Sequence, residues 1–373
     1  MRERVKEKTG EKIEIRTFHS YGKNIIEEKK KEKFKIADFE THERAKLSHV
    51  DGIIQEMLED SEESQLILNF ISQHRYPAKY REDFSSQKDY LKYLNKIEPQ
   101  TLKQEWVKSF EEVLIADWLT LHDIEYEYEK PYEHKTSSRK RQQYRPDFYL
   151  PKHRIYLEHF GIDKSGNTAP WINKVKYNES ITWKRNLHKE FKTKLIETYS
   201  WERMEGTLTE KLKAKLEKEN IEVKRLDVQS LRSKLNSTNV NKKLISLIKD
   251  FLSVFKEGLW TVGEISDRVD TLATTERNRN RAFFRIFSAF YKRYQQGLID
   301  RQEMDFADLI VKATSQIKSG EFKPQFSHII VDEFQDISRG RAEFLKSIRG
   351  DQVTKLMCVG DDWQAIYGFT GSD

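Results

Sequence analysis

Apolar residues along the 373-residue chain change their spacing several times, and each change predicts a different kind of element. Residues 12–26 begin with alternation at Ile13 and Ile15 and pass through Thr17-Phe18-His19-Ser20 into helical spacing, which predicts a strand, a turn and a helix start. Charged residues dominate from about 27 to 104. Apolar positions there recur at helical intervals (Ile53, Ile54 and Met57, then Leu66, Phe70 and Ile71), so this stretch predicts solvent-facing helices, with little turn chemistry between Ser48 and Ser64. Near Val107 the texture changes. Phe110, Val113, Leu114, Trp118 and Leu121 form one helix face, Ile124 to Glu129 alternates like a strand, and β-like runs follow at 147–150, 155–160 and 194–200 with a helical stretch at 182–191. That order predicts a compact α/β module. After Gly206 amphipathic helices return as far as about Ile299. Two near-continuous apolar runs, at 328–331 and 355–359, then suit strands buried on both faces of a parallel sheet. No repeat period or low-complexity tract interrupts this order.

Composition narrows the class. Hydrophobic residues make up 37%, charged residues 34% and aromatic residues 12% of the chain, a mixture suited to a globular protein of two or three domains with many exposed helices. The net charge of +6 permits attraction to phosphate backbones, and a local concentration of cations lies between Lys135 and Arg145. Cys358 is the only cysteine, which excludes an internal disulfide framework and predicts a cytoplasmic protein with a small buried thiol. No run approaches the roughly 20 apolar residues of a membrane helix, and the charged amino terminus is unlike a signal peptide.

Candidate chemistry is densest near the carboxyl end. The segment Ile329-Ile330-Val331-Asp332-Glu333-Phe334-Gln335-Asp336 is an apolar strand ending on two adjacent acids. In a phosphate-hydrolysing site the first acid can hold Mg²⁺ through water while the second polarises the attacking water. A second strand runs into Gly360-Asp361-Asp362-Trp363-Gln364-Ala365-Ile366-Tyr367-Gly368-Phe369. Together these resemble motifs II and III of the UvrD/Rep helicases of superfamily 1. Thr17-Phe18-His19-Ser20-Tyr21-Gly22 is similar to that family's strand-contacting motif, and Asp305-Phe306-Ala307-Asp308-Leu309 is similar to the element before motif II. The Gly-Asp-Asp-Trp-Gln form points to the helicase IV-like branch, although Thr370 stands where many relatives carry arginine. The resemblance implies Asp332 as the Mg²⁺-associated acid, Glu333 as the water-activating acid and Gln364 as the γ-phosphate sensor. It implies Phe18, His19, Tyr367 and Phe369 along the DNA strand, where base stacking contributes about 1–3 kcal/mol each without demanding sequence.

No G-x-x-x-x-G-K-[ST] phosphate loop occurs in the sequence, and the arginine motifs of a second motor half are absent too. ATP in such enzymes rests on the loop's backbone N–H groups between two halves. The chain alone is therefore expected not to hydrolyse ATP, as a truncated chain or partial gene product would not.

Between Glu105 and Glu205 the order helix, strand, Arg145-Pro146-Asp147, strand, Glu158-His159-Phe160, helix, strand resembles the PD-(D/E)xK nuclease fold. Two carboxylates on neighbouring strands, here Asp147 and Glu158, would hold Mg²⁺, and Glu112 on the preceding helix could complete the shell. The usual lysine position is Phe160. A replacement could come from the next helix, where Lys184 and His188 lie four apart on one face. Arg139, Lys140 and Arg141, with Lys135 and Arg145, would contact DNA phosphates.

The expected architecture is an α/β protein. A partial RecA-like parallel sheet (the P-loop NTPase type) comprises 1–26 and 301–373 of motor domain 1A, helical 1B-like regions span 27–104 and 206–300, and a restriction-endonuclease-like domain is inserted at 105–205. The expected function is that of part of an ATP- and Mg²⁺-dependent DNA helicase, translocating 3′ to 5′ as the resemblance implies, a monomer acting on single-stranded and duplex DNA in repair or recombination. Two alternatives stand beside it. One is a nuclease working through Asp147 and Glu158 with a second Mg²⁺, the other a DNA-binding segment without turnover.

Overall fold

A computed structural model describes residues 14–29, 35–76, 79–139, 141–224, 226–227, 229–230, 233, 239–272, 274–350 and 354–361. In chain order the helices are α1 (Phe18–Lys29), α2 (Glu43–Glu59), α3 (Ser61–Gln73), α4 (Gln87–Ile97), α5 (Phe110–Leu121), α6 (Lys174–Glu190), α7 (Ser200–Met204), α8 (Leu208–Lys218), α9 (Asn239–Glu257), α10 (Val262–Thr271), α11 (Thr274–Asp300), α12 (Phe306–Lys318) and α13 (Arg339–Arg349). The strands are β1 (Lys35–Ile36), β2 (Glu127–Tyr128), β3 (Phe148–Leu150), β4 (Ile155–Phe160), β5 (Lys194–Tyr199), β6 (Glu303–Met304), β7 (His328–Val331) and β8 (Lys355–Cys358). The chain divides into two compact units, one formed by residues 1–57, 243–272 and 284–373, the other by 58–242 and 273–283.

In the first unit, β7 and β8 pair in parallel with Ile329 opposite Leu356 and Ile330 opposite Met357. Ile25 and Ile26 of α1, Leu309, Ile310 and Ala313 of α12, and Phe344 and Ile348 of α13 form a buried cluster against which Ile329 packs. Gly22 permits the close approach of α1 to α12, since a Cβ there would stand 2.8 Å from Leu309 Cδ2. Burial of both faces of this sheet, expected from the apolar runs, is not observed: Ile330 is 70% and Met357 59% exposed. Helices cover only one face of the two described strands, and the opposite face keeps its apolar character uncovered. Cys358, expected to be buried, is exposed at the end of β8.

The second unit contains a four-stranded sheet of order β2-β3-β4-β5, with β2, β3 and β4 antiparallel and β5 parallel to β4. Alternation along β4, buried throughout, distributes its side chains between two helical layers. Leu157 joins the cluster of Ile115 and Leu119 from α5 with Leu212 and Leu216 from α8. Tyr156 joins Leu187 of α6, Tyr132 and Tyr144 on the other face. The helices and strands read between 105 and 205 pack around this sheet together with α8, within a compact unit that begins at residue 58. Only Glu127–Tyr128 of the alternating 124–129 stretch is strand. The helix read at 182–191 starts earlier, at Lys174, because Asn173 caps it by accepting from the Lys176 N–H at 3.0 Å. Little turn chemistry was expected near Ser61, yet Asp60 caps α3 there by accepting from the Glu62 and Glu63 N–H groups.

Candidate functional site

Two constellations carry chemistry, one in each unit. In the first unit, β7 delivers Asp332 and Glu333 to its carboxyl end, where both side chains are exposed. Glu333 takes φ 52°, the left-handed region that side chains rarely adopt, and this bend ends the strand. A short 3-10 turn, Phe334–Asp336, follows. Its Gln335 amide donates to Glu333 Oε2 at 2.6 Å and accepts from the Asp361 N–H at 3.1 Å. The Phe334 N–H donates to the Val359 carbonyl at 2.9 Å. The acidic turn after β7 is thus latched to the loop after β8. The latch was not assigned from the sequence, although Gln335 lies inside the acidic motif.

Glycine is needed where these loops meet. A Cβ on Gly360 would stand 2.7 Å from Gln335 Oε1 and 3.1 Å from the Gln335 backbone N, which has little freedom to retreat. Gly360→Ala is therefore expected to cost about 1–3 kcal/mol by overpacking and to lower the thermal midpoint of the chain. An unchanged midpoint would show slack between the loops.

Elsewhere in this unit, His19 stacks against Phe306 with ring centroids 4.6 Å apart and lines a cavity of 110 Å³ with Lys256, Asp305 and Arg341. Burial, and then the Arg341 charge, lower its pKa to about 4, so the imidazole is neutral at physiological pH. Phe18 leans on Phe344 in the core cluster and is only partly exposed. Asp305 caps α12 by accepting from the Asp308 N–H at 2.8 Å, and it also accepts from Tyr294 and pairs with Lys256. Gln364, Tyr367 and Phe369 lie outside the described residues, as does Lys140 in the second unit.

In the second unit the pairing of β3 with β4 sets Phe148 opposite Leu157, which places Asp147, just ahead of β3, beside Glu158 within β4. Asp147 Oδ2 accepts from the His159 N–H at 2.7 Å. Lys184 of α6 reaches Glu158 Oε2 at 2.5 Å, and the Tyr144 hydroxyl donates to Glu158 Oε1 at 2.7 Å. Burial and then the charge of Glu158 push Asp147 up to about 7. Burial works against the charge on Lys184, but Glu158 and Asp147 outweigh it and hold the ammonium above its ordinary pKa. Phe160, at the usual lysine position, is buried, and the Lys184 ammonium passes over its ring at 5.5 Å.

Glu112 approaches from the start of α5, where the charge of Asp147 helps to raise its pKa after burial. Its oxygens are engaged by Ser109 Oγ at 2.8 Å, by Tyr128 OH at 2.6 Å and by the Lys108 N–H at 3.1 Å. Arg81 lies 3.7 Å from it. His188 does not reach the acids. Its Nε2 is 3.2 Å from Tyr144 OH and its Nδ1 2.7 Å from Thr193 Oγ1, so of the two candidates on α6 it is Lys184 that meets the carboxylates. Among the described residues no three His, Cys, Asp or Glu side chains form a metal-holding group, so Glu112 does not close a three-carboxylate shell. Two carboxylates remain, and these fit Mg²⁺, which is commonly held by one or two carboxylates with waters filling its other positions.

On the other side of β4, His159 sends Nε2 to Glu111 Oε2 at 3.2 Å, and Glu111 also accepts from Arg203 and Ser200 at 2.9 Å each. This buried set opposes the burial cost of Glu111 and keeps its carboxyl well below the usual range. It braces α5, and with it Glu112, against the sheet. Arg139 and Arg141 are exposed in the hairpin between β2 and β3. No pattern in the sequence marked Arg81 or Tyr144, because each acquires its partners only through pairings between distant segments.

Known proteins resemble this chain over limited stretches. DNA helicase IV of Escherichia coli (strain K12) is 40% identical over 89 residues, 24% of this chain and 13% of that protein. DNA helicase II of Haemophilus influenzae is 27% identical over 126 residues, 31% of this chain and 16% of that protein. ATP-dependent DNA helicase Rep of Buchnera aphidicola is 29% identical over 142 residues, 37% of this chain and 19% of that protein. The chain thus spans less than a fifth of the length of each of these relatives. The UvrD/REP helicase N-terminal domain profile, by contrast, matches residues 1–373, and a mixed α/β structure with parallel strands ending on paired acids agrees with it, so the chain belongs to the UvrD/REP helicase N-terminal domain family.

Proposed function

We propose that this chain is part of the first motor half of an ATP-dependent DNA helicase that moves 3′ to 5′ along single-stranded DNA and opens duplex in repair or recombination. The observation that carries the reading is the placement of Asp332 and Glu333 at the end of a parallel strand, latched through Gln335 to the loop after β8. Asp332 is assigned to hold the Mg²⁺ that accompanies ATP, and Glu333 to polarise the attacking water. The latch ties the acidic turn to Asp361, three residues before Gln364 in the sequence; Gln364 is assigned as the γ-phosphate sensor, and Tyr367 and Phe369 are assigned to the DNA strand. Residues 1–26 and 301–373 are read as motor domain 1A, 27–104 and 206–300 as 1B-like, and 105–205 as an insert. The protein is read as a cytoplasmic monomer; among the described residues no helix is long and apolar enough to cross a membrane.

Single-stranded DNA is expected to bind this chain weakly, with affinity falling roughly tenfold or more between about 50 and 200 mM salt as phosphate contacts release counterions. Fluorescence anisotropy with a labelled oligonucleotide measures this, and affinity independent of salt would contradict it. The chain alone is expected to release no phosphate from ATP above a Glu333→Gln control, since its sequence holds no phosphate loop.

A second reading is favoured by a specific observation, the convergence of Asp147, Glu158 and Lys184. We read the second unit as a centre for phosphodiester hydrolysis. Asp147 and Glu158 would hold Mg²⁺, which would supply charge neutralisation and make water more acidic. Lys184 delivers from the helix the positive charge that Phe160 cannot deliver from the strand. It orients the Glu158 carboxylate and stands where it can position water or a phosphate oxygen.

A further inference from the structure

Arg141 lies at the tip of the hairpin between β2 and β3, and its guanidinium carbon sits over the Trp183 ring, 3.7 Å from the centroid. The hairpin is held in shape. Ser138 and Arg141 bridge across its tip, and the Gln143 amide ties the Tyr132 and His134 carbonyls to the Thr136 N–H. Trp183 is next to Lys184 on α6, and its ring meets Tyr144 edge-on at 5.6 Å. Tyr144 in turn donates to Glu158. A continuous path of planar groups therefore runs from an exposed cation to the carboxylate pair. Lys135, Arg139 and Arg141 are exposed, and among the described residues none of them is paired with an acid.

An exposed arginine whose guanidinium sits over an indole, without a carboxylate partner, keeps its outer side open to solvent, and a planar guanidinium there can stack on a nucleobase. Trp183 fixes it beforehand, so little side-chain freedom is lost on binding. Duplex DNA keeps its bases stacked inside and cannot use such a surface, whereas an unpaired strand can.

We propose that the Arg141–Trp183 pair is a stacking platform for unpaired nucleotides, with the flanking lysine and arginines holding phosphates, and that it leads a single strand to Asp147 and Glu158. The inference rests on the reading of the second unit as a phosphodiester-cutting centre and names its substrate class, single-stranded nucleic acid.

The test uses the full chain with a 20-nucleotide oligo-dT carrying 5-iododeoxyuridine, in EDTA so that no metal-dependent cutting occurs. Irradiation is expected to give an adduct on Trp183 or on the peptide spanning residues 135–144, identified by mass spectrometry. Arg141→Lys keeps the charge but removes the plane, and it is expected to lower that adduct about tenfold, the ratio that corresponds to 1.4 kcal/mol of lost stacking. Both Arg141→Lys and Arg141→Ala are surface changes, so the fold is expected to persist, and near-ultraviolet dichroism checks it. An adduct found only elsewhere, or undiminished in Arg141→Lys, overturns the platform. Mn²⁺-dependent cutting of the same oligonucleotide separates the two readings. An adduct at Trp183 without cutting by the wild-type chain sinks the catalytic reading and leaves the platform; cutting without the adduct does the reverse.

Discussion

Glu333→Gln is expected to lower DNA-stimulated ATP hydrolysis by roughly 10²-fold or more, in a polypeptide where this segment is joined to a phosphate loop and a second motor half. The side chain lies at a strand end, where it accepts from the Gln335 amide, so its amide counterpart keeps the shape and removes the charge that polarises water. Binding of single-stranded DNA should persist, because Glu333 belongs to the phosphate end of the site. A malachite-green phosphate assay with and without oligo-dT reads the difference. Turnover within a fewfold of wild type would remove Glu333 from the proposed chemistry.

Asp147→Asn carries the second large effect. Mn²⁺- or Mg²⁺-dependent nicking of single-stranded circular DNA is expected to fall about 10²-fold, since losing a metal ligand forfeits several kcal/mol of charge stabilisation. Lys184→Met should reduce nicking to a similar degree while Mn²⁺ still binds, because the carboxylates remain. Nicking by Asp147→Asn at the wild-type rate would end the catalytic reading of this unit. Mn²⁺ binding with no nicking even by the wild-type chain would leave a metal-holding fold without turnover.

Patterns of apolar spacing made much of the architecture legible. The runs at 328–331 and 355–359 did become parallel strands over 328–331 and 355–358, and the β-like runs at 147–150 and 155–160 did become an antiparallel pair whose register sets Asp147 beside Glu158. Once that pairing is granted, the distance between the acids follows from strand geometry alone. Exposure was less legible. Ile330 and Met357 belong to strands whose composition demands cover on both faces, yet cover depends on which other elements are present, a property no local window contains. Long-range partners escaped as well. Lys256 joins Asp305, and Arg203 joins Glu111, across separations of 49 and 92 residues. Lys184 could be singled out because helical periodicity put it and His188 on one face, but the choice between them needed the fold. There Tyr144 and Thr193 occupy the imidazole while the ammonium reaches Glu158.

The claim that this segment works within a helicase motor is tested most directly by strand displacement. The assay uses a polypeptide joining the segment to a phosphate loop and a second motor half, a short duplex with either a 3′ or a 5′ single-stranded tail, and ATP with Mg²⁺. The account predicts ATP-dependent release of the displaced strand from the 3′-tailed duplex and loss of that release in Glu333→Gln. Equal release without ATP, or release undiminished in Glu333→Gln, would contradict it.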